Sequence, residues 1–172
     1  MSRRLNRAPK TNELTSPTRS SEVSLKPLLG WREWVQLPEM DMSFIEAKID
    51  TGARSSSMDA DPIGEFVRSK QRWLRFSVFV GADLSMAGQC VEAKLVGYRD
   101  VRSSTGHLTH RPVIESSIQI GAYRWPIELT LTNRRSMGFR LLLGRSSIGD
   151  RFLVDPTRSY LGGPINDQRR YG

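Results

Sequence analysis

The stretch Ala47-Lys48-Ile49-Asp50-Thr51-Gly52-Ala53-Arg54-Ser55-Ser56-Ser57 joins a strand-like run to a loop of small residues. Phe44 to Ile49 carries Phe44, Ala47 and Ile49 as apolar positions and reads as a strand. Asp50 stands where that strand gives way. Gly52 has no Cβ, so another backbone can come close, and the serines that follow let the chain turn. A carboxylate presented this way is open to chemistry. The same residues also suit an ordinary turn, because Asp and Gly favour turns for conformational reasons.

Working outward, Trp31 to Leu37 reads as a strand and Pro38-Glu39-Met40-Asp41 as a turn, so a hairpin leads into Asp50. Trp73 to Val80 alternates, with Leu74, Phe76, Val78 and Val80 on one face and Arg75 and Ser77 on the other. Val91 to Val101, Arg111 to Ile120 and Tyr123 to Thr132 are further strands, the last two joined by Gly121-Ala122 in a short hairpin. Leu141-Leu142-Leu143 is an apolar run suited to a central strand. The single helical signal is short, Arg145 to Gly149. Many short strands punctuated by Gly and Pro predict an all-β chain, a barrel or a sandwich. Order begins near Leu28-Leu29-Gly30-Trp31, where large apolar residues first gather. One domain over residues 28–162 is expected, between a flexible basic tail over 1–27 and a C-terminal tail over 163–172.

Water activation by carboxylates needs two of them. Placed a few ångströms apart they cannot both ionise, so the pair shares a proton and can act as base and acid at once. No second Asp-Thr-Gly or Asp-Ser-Gly exists: Asp59, Asp61, Asp83, Asp100, Asp150, Asp155 and Asp167 lack that setting. A two-fold homodimer supplies the second copy without further sequence.

Ala47 to Ala53, followed by Leu142-Leu143-Gly144-Arg145, resembles the two hallmark segments of retropepsins. Gly30-Trp31-Arg32-Glu33-Trp34-Val35, Lys48 to Arg54, Arg111-Pro112-Val113-Ile114, Leu129 to Arg134 with Met137, and Leu142 to Arg145 with Phe152-Leu153-Val154-Asp155 resemble, in that order, a bacterial family named ATP-dependent zinc proteases. That family is regarded as retropepsin-like, and some members are associated with ATP-grasp ligases that add glutamates to a ribosomal protein. The resemblance implies a small closed or partly open β-barrel of acid-protease type with one short C-terminal helix. It implies an aspartic peptidase acting on a peptide or protein substrate. Asp50 would activate water, Thr51 would brace the paired loops through its hydroxyl, and Gly52 would offer its backbone to the substrate. Ala53 and Arg54 would line the substrate side, and Leu143-Gly144-Arg145 would lie behind the loop. A flap is expected from Val96 to Arg111, with its tip near Thr105-Gly106.

Retropepsins usually carry Asp where Arg54 stands, and that Asp pairs with the Arg of the Gly-Arg segment. Arg54 and Arg145 would repel if left unpaired. Arg54 is expected to face the cleft and favour acidic peptides; the alternative pairs it with a nearby carboxylate for structural reasons. A domain of the same fold that only binds peptides is the competing function, with a zinc-dependent peptidase behind it.

The remaining composition mostly excludes. The net charge is +8, and residues 1–26 hold six Lys/Arg against two Asp/Glu, so half the excess lies in the tail and nucleic-acid binding is not expected. Arg134-Arg135 and Arg169-Arg170 read as solvated surface, and the four tryptophans as core or dimer interface. Cys90, the one cysteine, reads as a small buried hydrophobe. His107 and His110 are the only histidines and no His-Glu-x-x-His is present, so no metal is expected. No phosphate-binding glycine loop is present either, so no cofactor is expected and ATP dependence would belong to a partner. No apolar stretch could span a bilayer, and a cytoplasmic location is the expectation.

Overall fold

The structure is a computed structural model that describes residues 25–78, 88–102 and 106–163. Strands dominate it: β1 (Leu28–Gly30), β2 (Arg32–Leu37), β3 (Met42–Asp50), β4 (Ser56–Asp59), β5 (Asp61–Arg68), β6 (Gln71–Val78), β7 (Gln89–Arg102), β8 (Leu108–Ile120), β9 (Tyr123–Thr132), β10 (Leu141–Gly144) and β11 (Leu153–Asp155). One short 3-10 turn, Pro38–Met40, links β2 to β3, and one short helix, α1 (Arg145–Ile148), follows β10. The all-β expectation with a short helix after Gly144 is what the chain adopts.

β1 and β11 form a small parallel pair. The other strands make one nine-stranded sheet in the order β2-β3-β10-β4-β9-β8-β7-β6-β5. That sheet curls back on itself, because Gln36 of β2 pairs with Gln119 of β8. The ring from β2 through β10 and β4 to β8 encloses the core, and β7, β6 and β5 extend from it. Alternation explains which side chains enter. On β6, Leu74, Phe76 and Val78 are buried while Arg75 between them is exposed. Leu29, Leu37, Ile114, Ile118, Ile120, Leu129, Leu131, Leu141 and Leu143 are among the other fully enclosed side chains. The β8–β9 hairpin turns at Gly121, whose φ of 54° is a left-handed value that glycine adopts without a Cβ penalty.

Two expectations are corrected, and two strands lie where the sequence reading assigned none. Cys90 is exposed, because Val91, Ala93 and Leu95 take the inward positions of β7 and leave Cys90 on the outer face. Arg134 is buried at 7% exposure, drawn in by an acid far away in sequence, whereas Arg135 is exposed and pairs with Asp61. β4 and β5 occupy what sequence patterning left as a featureless stretch. Of the tryptophans, Trp125 is in the core, and Trp31, Trp34 and Trp73 are half-buried against Phe139, Tyr160 and Phe66. Val80 of the expected β6 strand, Thr105 of the expected flap tip, Arg169-Arg170 and most of both expected tails lie outside the described residues.

A clasp closes the ring. Glu33 on β2 is 1% exposed, and its carboxyl accepts Gly30 N at 2.6 Å, Leu161 N at 2.8 Å and Gly162 N at 3.1 Å. A buried carboxyl is tolerated because backbone N–H groups replace its lost water.

Candidate active site

β3 ends at Asp50, and its neighbour β10 ends in register with it: Leu143 pairs with Ile49 and Gly144 with Asp50, in parallel. On its other side β10 pairs antiparallel with β4, Leu142 opposite Ser57. The segment from Thr51 to Ser55 therefore leaves one neighbour of β10 and returns, as β4, on the other. Its backbone is fastened to the start of α1: Arg145 N donates to Ala53 O at 2.9 Å and Ser146 N to Arg54 O at 3.0 Å. Gly144 lies so close beneath that a Cβ would stand 2.7 Å from Ser55 O and 2.8 Å from Arg54 O.

Below the loop, serines hold the strands together. Ser56 Oγ accepts Gly144 N at 3.0 Å and lies 2.6 Å from Ser147 Oγ, while Thr130 Oγ1 donates to Ser56 O at 2.9 Å. Every polar group is satisfied locally, which lets small hydroxyls occupy a buried strand. The guanidinium of Arg145 donates from one nitrogen to Thr51 O and Gly52 O, both at 2.8 Å. Arg145 is thus turned to the loop carbonyls, and Arg54 is exposed.

The Asp50 carboxylate is held at both oxygens. Oδ1 accepts Gly52 N and Ala53 N, each at 3.0 Å, and Oδ2 lies 3.2 Å from Lys48 Nζ. Partial burial pushes the carboxyl upward, but the Lys48 hydrogen bond, the Ala53 N–H, the Lys48 charge and the Gly52 N–H outweigh it and hold Asp50 below the usual carboxylate value. Thr51 and Gly52 are exposed at the tip and Ala53 is half-buried. Asp50, Thr51, Gly52, Ala53, Arg54, Leu143, Gly144 and Arg145 are thus one continuous structure around the carboxylate.

Sequence reasoning missed two contributors. Lys48 shares a face of β3 with Asp50, as the spacing of two already implies. Arg134 is the other: its backbone N donates to Asp59 Oδ1 at 2.6 Å, Nη1 to Ser57 Oγ at 2.9 Å and Nε to Phe139 O at 3.1 Å. Asp59 also holds Arg140 at 3.0 Å. Burial lowers the Arg134 pKa, as does Arg111, while Asp59 and Asp50 act in the opposite sense; Arg134 is therefore within electrostatic reach of both Arg111 and the Asp50 carboxylate. Arg111 is half-buried, its Nε donating to Thr109 Oγ1 at 2.7 Å, and burial lowers its pKa too. No short-range signal marks these arginines.

The β7–β8 hairpin rises from the body where the flap is expected. Its register shifts between Leu95 and Gly97, and beyond that point Val96, Tyr98 and Leu108 are exposed. His110 Nδ1 lies 2.7 Å from Asp100 and its ring stacks on Tyr98. Among the described residues no group of three or more His, Cys, Asp or Glu side chains converges as metal ligands would, so these donors do not fit a zinc centre.

A mostly β ring in which an Asp-Thr-Gly loop is backed by a parallel strand ending Leu-Leu-Gly-Arg defines the retropepsin-like class of folds. The chain belongs to the RimB-like family, described as the retropepsin-like aspartic endopeptidase RimB, whose pattern matches residues 28–164. It is 40% identical over 143 residues to a probable alpha-L-glutamate ligase of Shewanella halifaxensis, covering 83% of this chain and 31% of that one. A probable alpha-L-glutamate ligase of Parasynechococcus marenigrum is 39% identical over 148 residues, covering 86% and 32%. The chain spans about a third of the length of these relatives. A solved Legionella pneumophila protein, described as being of unknown function, superposes with a TM-score of 0.67 at 30% identity, covering 80% of this chain and 98% of that one. Among the described residues no helix is long and apolar enough to cross a membrane.

Proposed function

We propose that this chain is one protomer of an aspartic peptidase, in which the Asp50 carboxylates of two copies meet at a two-fold axis and hydrolyse peptide bonds with a shared water. The observation that carries the reading is the seat of Asp50. Its half-buried carboxylate is fixed at the foot of an exposed loop by two backbone N–H groups, and that loop is braced by Gly144 and Arg145.

With one proton on the pair, the ionised carboxylate takes a proton from water as the water oxygen bonds to the scissile carbonyl carbon. The protonated carboxyl gives its proton to the carbonyl oxygen, forming a tetrahedral diol. Collapse breaks the C–N bond. The newly protonated Asp50 delivers its proton to the leaving nitrogen, and the diol returns one to the other, restoring the single-proton pair. Thr51, exposed beside the axis, braces one loop against its copy, and the β7–β8 hairpin closes over the peptide.

Acidic peptides are the proposed substrates. Arg54 is exposed on the loop next to Asp50, and the guanidinium of half-buried Arg111 donates to the Thr109 hydroxyl and to no other side chain among the described residues. Relatives described as probable alpha-L-glutamate ligases support this reading, and the proposed partners are a glutamate-adding ATP-grasp enzyme or its ribosomal-protein product. The expected result is a dimer in sedimentation that cleaves Glu-rich peptides in preference to Lys-rich ones. Asp50→Asn should fold, dimerise and show at least a hundredfold less hydrolysis, and Arg54→Ala should narrow the preference. Hydrolysis that survives Asp50→Asn would overturn the aspartic assignment, and an Arg54→Ala protein with unchanged preference would remove Arg54 from recognition.

A further inference from the structure

Nothing in the proposed hydrolysis uses Lys48, yet it makes the one side-chain contact to the Asp50 carboxylate among the described residues, at 3.2 Å from Oδ2. It is placed there by the strand. Residues 48 and 50 point to the same face of β3, and β10 fixes both in register, Leu142 opposite Lys48 and Gly144 opposite Asp50. We propose that Lys48 is a positioning residue that keeps Asp50 ionised and thereby moves the productive single-proton state of the dyad to lower pH.

The neighbouring charges leave this task to Lys48. Arg145 from α1 is turned to the carbonyls of Thr51 and Gly52, and Arg54 stands exposed on the loop without a bond to Asp50. Arg134, entering after β9, acts on Asp50 only at longer range and is itself engaged with Asp59, Ser57 and Phe139. Arg32 on β2 is paired with Glu46. From β10 the side chains near the loop are apolar.

A dyad works while it holds one proton. Two carboxylates alone raise one of their pKa values by mutual repulsion, which keeps that proton in place at mildly acidic pH. A lysine on each carboxylate offsets the repulsion, so the proton leaves earlier as pH rises. At neutral pH the water then faces two ionised carboxylates, with no acid for the carbonyl oxygen. Lys48 is in this sense a restraint: the site is quiet at neutral pH and opens toward acid, or when a substrate anion draws the ammonium away. Because Lys48 is 44% and Asp50 24% exposed, solvent screens the pair and the displacement is modest.

The kinetic consequence rests on the aspartic reading, but the hold of Lys48 on Asp50 does not, so the test reads both. The full chain labelled with carboxyl-13C aspartate is titrated as wild type, Lys48→Met, Lys48→Gln and Lys48→Arg, with the Asp50 signal identified by its loss in Asp50→Asn. The Met and Gln variants should raise the Asp50 midpoint by about half a pH unit or more, and Arg should hold it near wild type. The alkaline limb of kcat/KM should move up by the same amount, with activity at pH 7 rising relative to the maximum. A midpoint unchanged in both neutral variants would overturn the proposal, as would a midpoint that moves with Arg as far as with Met. If no variant hydrolyses peptide, the aspartic function fails while the carboxyl midpoints still decide the role of Lys48.

Discussion

Gly144→Ala offers a sharp test of the site because its cost is confined to one contact. Gly144 has φ −87° and ψ 174°, values open to any L-residue, so a methyl brings no backbone strain. What it brings is collision: the Cβ would stand 2.7 Å from Ser55 O, 2.8 Å from Arg54 O and 2.8 Å from Ser55 C. All three are backbone atoms, so no side chain can swing aside, and the loop itself must lift by roughly half an ångström to reach ordinary contact at about 3.3 Å. That movement lengthens the bonds from Arg145 N and Ser146 N that fasten the loop. Overpacking of this kind costs about 1–3 kcal/mol, which keeps a domain of this size folded. The effect on hydrolysis is larger, since displacing a reacting group by a fraction of an ångström to 1 Å costs up to about a hundredfold. The assay pairs thermal unfolding with kcat/KM on a Glu-rich peptide. Gly138→Ala is the control, because its Cβ would meet nothing within 4 Å. Gly144→Ala with wild-type melting and wild-type kcat/KM would refute the claim that Gly144 seats the loop.

Two further predictions concern stability. Glu33→Gln removes one of the two acceptor oxygens that hold Gly30, Leu161 and Gly162 and sets an amide N–H against a backbone N–H, so it should cost about 2–4 kcal/mol and lower Tm by roughly 6–12 °C; a loss below about 1 kcal/mol would mean the clasp is dispensable. Glu39 is desolvated, which raises its pKa, but Ser117, through hydroxyl and backbone N–H, and Arg124 lower it further, to about 2. Its folded pKa lies below the unfolded value, so its contribution is full above about pH 4.5 and is lost as pH falls toward 2. Because the side chain is 48% exposed, screening holds that contribution to about 1 kcal/mol. Urea unfolding of wild type and Glu39→Gln should differ by this amount at pH 6 and converge near pH 2; a constant difference would count against it.

How far the sequence could be read depended on whether a residue's partners were near or far. β6, β8 and β9 were legible because one face is core and the other is not, which writes a period of two into Leu74-Phe76-Val78 and Ile118-Ile120. β4 was not: Ser56, Ser57, Met58 and Asp59 are all buried, so alternation vanishes, and its polar residues are there to bond Gly144, Ser147 and Arg134. Arg134 looked like surface because Asp59, the acid that draws it inward, lies 75 positions earlier. The Asp-Thr-Gly loop and the Leu-Leu-Gly-Arg segment could each be recognised, and the resemblance linked them. That Arg145 would turn to loop carbonyls, leaving Arg54 exposed, required coordinates. Lys48 was legible by spacing alone, two residues from Asp50 on one strand, but strand periodicity says where a side chain points and not what it grips.

The clamp on the Asp50 loop has a consequence for synthesis. Arg145 reaches back 94 positions to Thr51, and the Gly144 N–H reaches back 88 to Ser56. A ribosome that has delivered the Asp50 loop, with only its local bonds to Gly52, Ala53 and Lys48, must still deliver the whole of β4 through β10 before Gly144 and Arg145 can brace it. The nascent chain therefore carries its carboxylate before the brace of its loop exists. A protein proposed to cut peptides thus acquires that ability only once Gly144 and Arg145 have been delivered, after the body that restrains it already exists.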